Sequence, residues 1–124
     1  MRILILALLS LWMLSCDSSC VGVACTEEFR SIVVTIQNTA GQPITLDLYT
    51  VEERGQMLWR DTGQEDGQYT LLTDALQESF ENREATVTLF GFIDNEEVVS
   101  QDYVIGADCC HIFLVSGPLE IIIP

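Results

Sequence analysis

The chain contains no lysine. Its five basic residues are all arginine, set against 19 aspartates and glutamates, and the formal net charge is −14 at pH 7. A surface of that sign repels phosphate backbones and anionic headgroups, which argues against nucleic-acid binding and against electrostatic adhesion to a membrane. Histidine is almost missing as well: His111 is the only one, and no nucleophile elbow surrounds it. There is no Gly-rich phosphate loop, no dinucleotide fingerprint and no carboxylate pair in a supporting context, so the chain reads as non-catalytic. The longest apolar run, Ile3 to Leu14, is broken only by Ser10 and falls short of the roughly 20 residues that a membrane-spanning helix needs. No segment carries a helical period long enough to cover a parallel β-α-β crossover.

Cysteine, by contrast, is plentiful. There are five, at positions 16, 20, 25, 109 and 110. The first follows a stretch built like an export signal: Arg2 as a short basic region, the apolar run of Ile3–Leu14, then Met13-Leu14-Ser15-Cys16 with a small residue directly before the cysteine. This ending resembles the lipobox of bacterial lipoproteins, with Leu14 where Ala or Ser is commoner. The resemblance implies that residues 1–15 are a signal peptide that is removed. It further implies that Cys16 receives a thioether-linked diacylglyceride and an N-acyl chain, and that the protein is held to the membrane of the bacterial cell envelope by that anchor. Arg2 leaves with the signal, so the mature charge would be 4 − 19 = −15. Residues 16–28, which include Asp17 to Thr26 (DSSCVGVACT), then read as a lipidated tether, and residues 29–124 as one domain.

From Phe29 onward apolar residues recur with period two, punctuated by turn signals every eight to twelve residues. That is the pattern of an antiparallel β-sandwich of seven to eight strands. Ile32, Val34 and Ile36 make the first inward row. Asn38 to Pro43 turns the chain, and Ile44, Leu46 and Leu48 predict a second inward row that ends at Glu52-Glu53-Arg54-Gly55. Gln56–Arg60 and Tyr69–Leu72 follow as strands, on either side of the polar loop Asp61–Gly67. One short helical segment is expected near 74–82, with Asp74 and Gln77 at capping-box spacing and Leu76 and Phe80 as an i, i+4 pair. Strands resume at Ala85–Phe92, Val98–Ile105, Cys109–Val115 and Leu119–Ile123. The last of these is apolar on both faces except for Glu120, which predicts a place inside a sheet rather than at its edge.

Gly41-Gln42-Pro43, Gly67-Gln68-Tyr69 and the Val87–Phe92 strand, in that order around a short helix, resemble the transthyretin-like sandwich. The closest likeness is to the carboxypeptidase-regulatory-like domains of secreted bacterial proteins. It covers roughly Ile32 to Val104 and implies an accessory, non-catalytic role, on a transthyretin-like or immunoglobulin-like framework.

If Cys16 carries lipid, Cys20, Cys25, Cys109 and Cys110 form an even set in an oxidising compartment, and disulfides are the expected outcome. Pairing each tether cysteine with one of the 109–110 pair explains why the tether holds two. Pairing Cys20 with Cys25 is the alternative. A zinc or copper(I) site from Cys20, Cys25, Cys109 and His111 is a further one, disfavoured because neighbours on a strand point to opposite faces. The loop Asp61–Gly67 faintly resembles a calcium loop but lacks its ligand alternation, and is expected to be a solvated turn. Trp59, Phe90, Phe92 and Tyr103 stand at strand spacing and are expected in the core rather than in an exposed partner-binding patch. The expected role is that of a lipid-anchored envelope binding or structural module, with no cofactor beyond the acyl chains. An acidic inhibitor or immunity-type protein docking a basic extracytoplasmic enzyme, and an assembly component of an envelope complex, are the alternatives. Either would bring a protein partner in the envelope.

Overall fold

A computed structural model describes residues 20–124 of the chain; the signal segment and Cys16 lie outside that range. The elements run β1 (Ser31–Asn38), β2 (Leu48–Glu53), β3 (Gln56–Asp61) and β4 (Gln68–Thr73). A 3₁₀ turn (Asp74–Leu76) then leads into α1 (Gln77–Phe80), followed by β5 (Glu84–Ile93), β6 (Glu96–Ala107), β7 (Ile112–Ser116) and β8 (Glu120–Ile123). They form two sheets, β3-β2-β5-β6-β7 and β4-β1-β8. The fold is an all-β sandwich of eight strands with one short helical segment.

The alternation that defines the strands also builds the core. Val34 and Ile36 of β1, Tyr69 and Leu71 of β4, Val87 and Leu89 of β5, and Tyr103 and Ile105 of β6 are all buried, while the residues between them face outward. Phe80 seals one end of this layer. The β5–β6 hairpin turns on Asp94-Asn95 and the β2–β3 hairpin on Arg54-Gly55. All four residues have positive φ, as a two-residue turn matched to strand twist requires. Gly117 (φ +128°) lies flat on the ring of Tyr103, where a Cβ would overlap the ring edge. Tyr103 is fully enclosed, its hydroxyl has no hydrogen-bond partner among the described residues, and burial pushes its pKa up to about 12.

Three expectations about the strands need correction. The second strand begins at Leu48, not Ile44, and its inward residues are Tyr49 and Val51. The Tyr69 hydroxyl is the cause: it donates to the Ile44 carbonyl (2.7 Å) and accepts from Leu46 N–H (2.8 Å). Those backbone groups are thereby taken out of any ladder while the chain crosses between sheets, and Leu46 drops into the core against Gly91. The second correction is that pairing is not antiparallel throughout, because β8 runs parallel to β1 with Ile121 beside Ile36. The third is that β8 is an edge strand. β4 already holds one side of β1, and among the described residues no strand lies beyond β8 in its sheet. Ile121 and Ile123 pack on the core, whereas Ile122 is 54% exposed. The edge is kept short, flanked by Pro118 and Pro124 and marked by Glu120, the usual means of blunting such an edge.

The aromatic residues divide. Tyr103 is core, Phe90 and Phe92 are half-buried, and Trp59 on edge strand β3 stays 37% exposed. Its indole N–H donates to the Tyr49 hydroxyl at 3.0 Å.

Candidate functional site

The chemistry-bearing residues converge at one end of the sandwich, where β1 and β5 begin and β6 ends. Asp108 opens the β6–β7 connection. Its Oδ1 accepts the backbone N–H of Cys110 (2.7 Å) and of His111 (2.8 Å), and its own N–H donates to the His111 carbonyl (3.0 Å). An aspartate at the first position of a tight turn does this because its short side chain mimics a backbone acceptor. These donors hold its pKa below the ordinary carboxylate value. The turn takes Cys109 and Cys110 out of extended conformation, so they do not lie on a strand as expected. β7 starts two residues later, at Ile112.

That placement lets both neighbours reach the same segment. Cys20 is bonded to Cys109 and Cys25 to Cys110, with Cα–Cα distances of 5.3 and 5.4 Å across sequence separations of 89 and 85. The expected cross-pairing of tether and cysteine pair is therefore the one formed. With all four thiols consumed, the alternative metal set of Cys20, Cys25, Cys109 and His111 has no thiolate left to offer. No other cluster of three or more ligating side chains occurs among the described residues.

Beside the disulfides lies a buried polar knot. Asp74 Oδ1 accepts the Ile112 N–H (2.9 Å), and Oδ2 accepts the Arg30 N–H (2.7 Å) and faces His111 Nδ1 (2.7 Å). Its own N–H donates to the Arg30 carbonyl (2.9 Å). A carboxylate only accepts, so Nδ1 carries the proton, and in the neutral ring Nε2 accepts from the Thr26 hydroxyl at 3.3 Å. His111 is 7% exposed, and the Asp74 side chain is 8% exposed. Burial alone would raise the Asp74 pKa. The donors from His111, Ile112 and Arg30 outweigh it and leave the group below its ordinary value. The expected capping box is not formed: Thr73 supplies the cap, accepting from Ala75 N–H, because the Asp74 carboxylate is spent on β7 and the tether. Gln77 turns instead to the Asp108 carbonyl. Asn82 N–H donates to the Ala107 carbonyl (3.0 Å), closing the same end.

The order carboxylate, imidazole, hydroxyl is the one that hydrolases use to activate a nucleophile. Here the same carboxylate also holds two backbone amides from separate segments. The arrangement therefore fastens residues 26–30 to β7 and the helical turn. Sequence reasoning singled out the cysteines and His111 but missed Asp74 and Thr26 as their partners; the pairing spans 85 residues for Thr26 and 37 for Asp74.

Other candidate features fall elsewhere. In the loop after β3 the carboxylates brace the backbone: Asp61 accepts from Thr62 N–H and Asp66 from Gln68 N–H. Gly63 is pressed against the Leu46 backbone. A shallow hollow of about 340 Å³ on the outside of the larger sheet is lined by Glu53, Arg54, Glu84, Ala85, Thr86 and Val104. At its rim the Arg83 guanidinium holds Glu53 through two bonds (2.7 and 3.1 Å) and stacks over Phe80. No helix among the described residues is long and apolar enough to cross a membrane. The two disulfides belong to an oxidising, non-cytoplasmic compartment. No protein-family model, curated protein or solved structure matches the chain.

Proposed function

We propose that the chain is a lipid-anchored, non-catalytic binding or structural module of the bacterial cell envelope. The observation that carries this reading is the fate of the cysteines. Four of the five are bonded to one another, and the fifth, Cys16, stands outside those bonds at the one position whose surroundings resemble a lipobox. The double connection between tether and domain supports the same reading, since it transmits the anchor's position to the whole sandwich. The likeness to carboxypeptidase-regulatory-like domains adds an accessory rather than catalytic role. The test is metabolic labelling with a fatty acid. The mature protein should carry label and Cys16→Ala should accumulate as unlabelled precursor; an unlabelled mature product that starts after residue 16 sinks the reading.

The net charge of −14 favours a second reading, in which an acidic face docks a basic extracytoplasmic enzyme. Affinity for such a partner, captured from solubilised envelope, would fall steeply between low and physiological salt as screening shortens to about 8 Å. A salt-independent affinity, or a large membrane complex as the captured species, points instead to apolar contact or to an assembly role.

A further inference from the structure

We infer that the loop Val21-Gly22-Val23-Ala24 is a lipid-contacting finger that seats the domain on the bilayer surface; the inference rests on the lipid anchor proposed above. Both ends of the loop are covalently fixed, Cys20 to Cys109 and Cys25 to Cys110, so it cannot fold back or drift independently of the sandwich. Within it a tight turn runs from the Cys20 carbonyl to Val23 N–H (3.4 Å). Gly22, at φ +78°, takes the left-handed position that such a turn requires. The turn holds Val21 at its tip, 78% exposed, and Val23 is 48% exposed. A Cβ at Gly22 would meet no other described residue within 4 Å beyond its chain neighbours.

Two apolar side chains on a covalently pinned loop, Val21 the most exposed large apolar residue among those described, form a rigid projection suited to an apolar partner. Connectivity identifies it. Cys20 follows Cys16 by four residues, and four residues of fully extended chain span at most about 14 Å. A diacylglyceride on Cys16 fixes that residue at headgroup level, and a headgroup layer is itself about 5–7 Å deep. The staple thus cannot leave the neighbourhood of the bilayer surface, and Val21 and Val23 are its first uncharged projections. The loop carries no charge, whereas the same end of the domain holds Glu28 and Glu53, paired with Arg30 and Arg83, together with Glu84 and Asp108, for which no arginine partner occurs among the described residues. The surface it fits is therefore zwitterionic rather than anionic.

The test uses the mature lipidated protein in phosphatidylcholine vesicles. Removal of the signal leaves Trp59 as its single tryptophan, which serves as the reporter of a site away from the finger. In a Trp59→Phe background, Val21→Trp and, separately, Val23→Trp place the reporter on the loop. Lipid brominated along the acyl chain near the headgroup should remove about half of the loop emission, the depth of an interfacial residue, and leave Trp59 of the unsubstituted protein unquenched. Non-reducing peptide mapping verifies that both disulfides survive in each variant. Water-exposed, unquenched emission from both loop positions on protein that carries the fatty-acid label overturns the finger while the anchor stands. Absence of the label overturns the anchor and the finger with it.

Discussion

Each disulfide should contribute a very different amount depending on whether the other is present. In a chain-entropy treatment, closing the 89-residue separation of Cys20–Cys109 stabilises the fold by about 4.6 kcal/mol at 25 °C. Once that bridge exists, Cys25 and Cys110 are no longer 85 residues apart in any useful sense. The path between them runs through Cys20 and Cys109, an effective ring of about six residues, and the second bridge adds about 2 kcal/mol. The same holds in the reverse order. Replacing either pair with alanine (Cys20→Ala with Cys109→Ala, or Cys25→Ala with Cys110→Ala) should therefore cost about 2 kcal/mol. Replacing both should cost about 7, more than the sum of the two. A loss of that size is comparable to the whole stability of a small domain. Urea unfolding of a signal-free Cys16→Ala form without reductant measures all four corners of the cycle. Strict additivity, or one pair costing nearly as much as both, would refute the shared-ring argument.

Three further outcomes follow from the geometry. Asp74 and Asp108 both have carboxyls held below their ordinary value of 3.8. Their stabilisation is therefore complete above that value and lost as the pH falls through the depressed folded values. Asp74→Asn should cost about 2 kcal/mol at neutral pH and flatten the acid limb of a urea midpoint against pH; an unchanged limb would show that the knot does not titrate with unfolding. Gly63→Ala should destabilise by about 2–3 kcal/mol, read as a lower thermal midpoint, because its Cβ would overlap the Leu46 carbonyl; an unchanged midpoint would mean that the loop is not held as described. Ile122→Lys, at a 54% exposed edge position, should leave the urea midpoint unchanged and slow aggregation on heating, whereas a large loss of stability would place Ile122 in the core.

Where one strand's environment is set by its own neighbours in sequence, the residues announced it. The Val34/Ile36 row, the Val87/Leu89 row and the Asp94-Asn95 turn were all legible from period and turn chemistry. The failures lie where a distant group intervenes. Ile44, Leu46 and Leu48 alternate as a strand would, but one hydroxyl, on Tyr69, takes the Ile44 carbonyl and the Leu46 N–H. Asp74 stands at a capping position yet turns its carboxylate to Ile112 and Arg30, because two backbone amides and a buried imidazole together outweigh one helical amide. The β8 strand is apolar on both faces, which predicted a place inside a sheet, yet it is an edge whose Ile121 and Ile123 pack on the core while Ile122 stays exposed. Composition alone does not say that β8 pairs on one side only, with β1. The cysteine pairing was half legible: parity and the two cysteines in the tether pointed to a cross-link, but the turn made by Asp108, which lets adjacent cysteines reach one segment, is a property of the folded chain.

The parallel pairing of β1 with β8 governs the timing of maturation. A chain threaded amino-end first through a membrane delivers Cys20, Cys25 and β1 long before their partners. The smaller sheet stays open at one side until residues 120–123 emerge, and neither cysteine finds its native partner until residues 109 and 110 have followed. During that interval Cys20 and Cys25, with only four residues between them, are close neighbours along the chain, and a bond between them closes a far shorter loop than either native bond does. A bond formed there first must be exchanged before the domain is complete, through attack by the thiolate of Cys109 or Cys110. Folding with a disulfide-shuffling catalyst beside the oxidant should therefore outpace folding with the oxidant alone, and the last dozen residues, which supply β8, complete the smaller sheet.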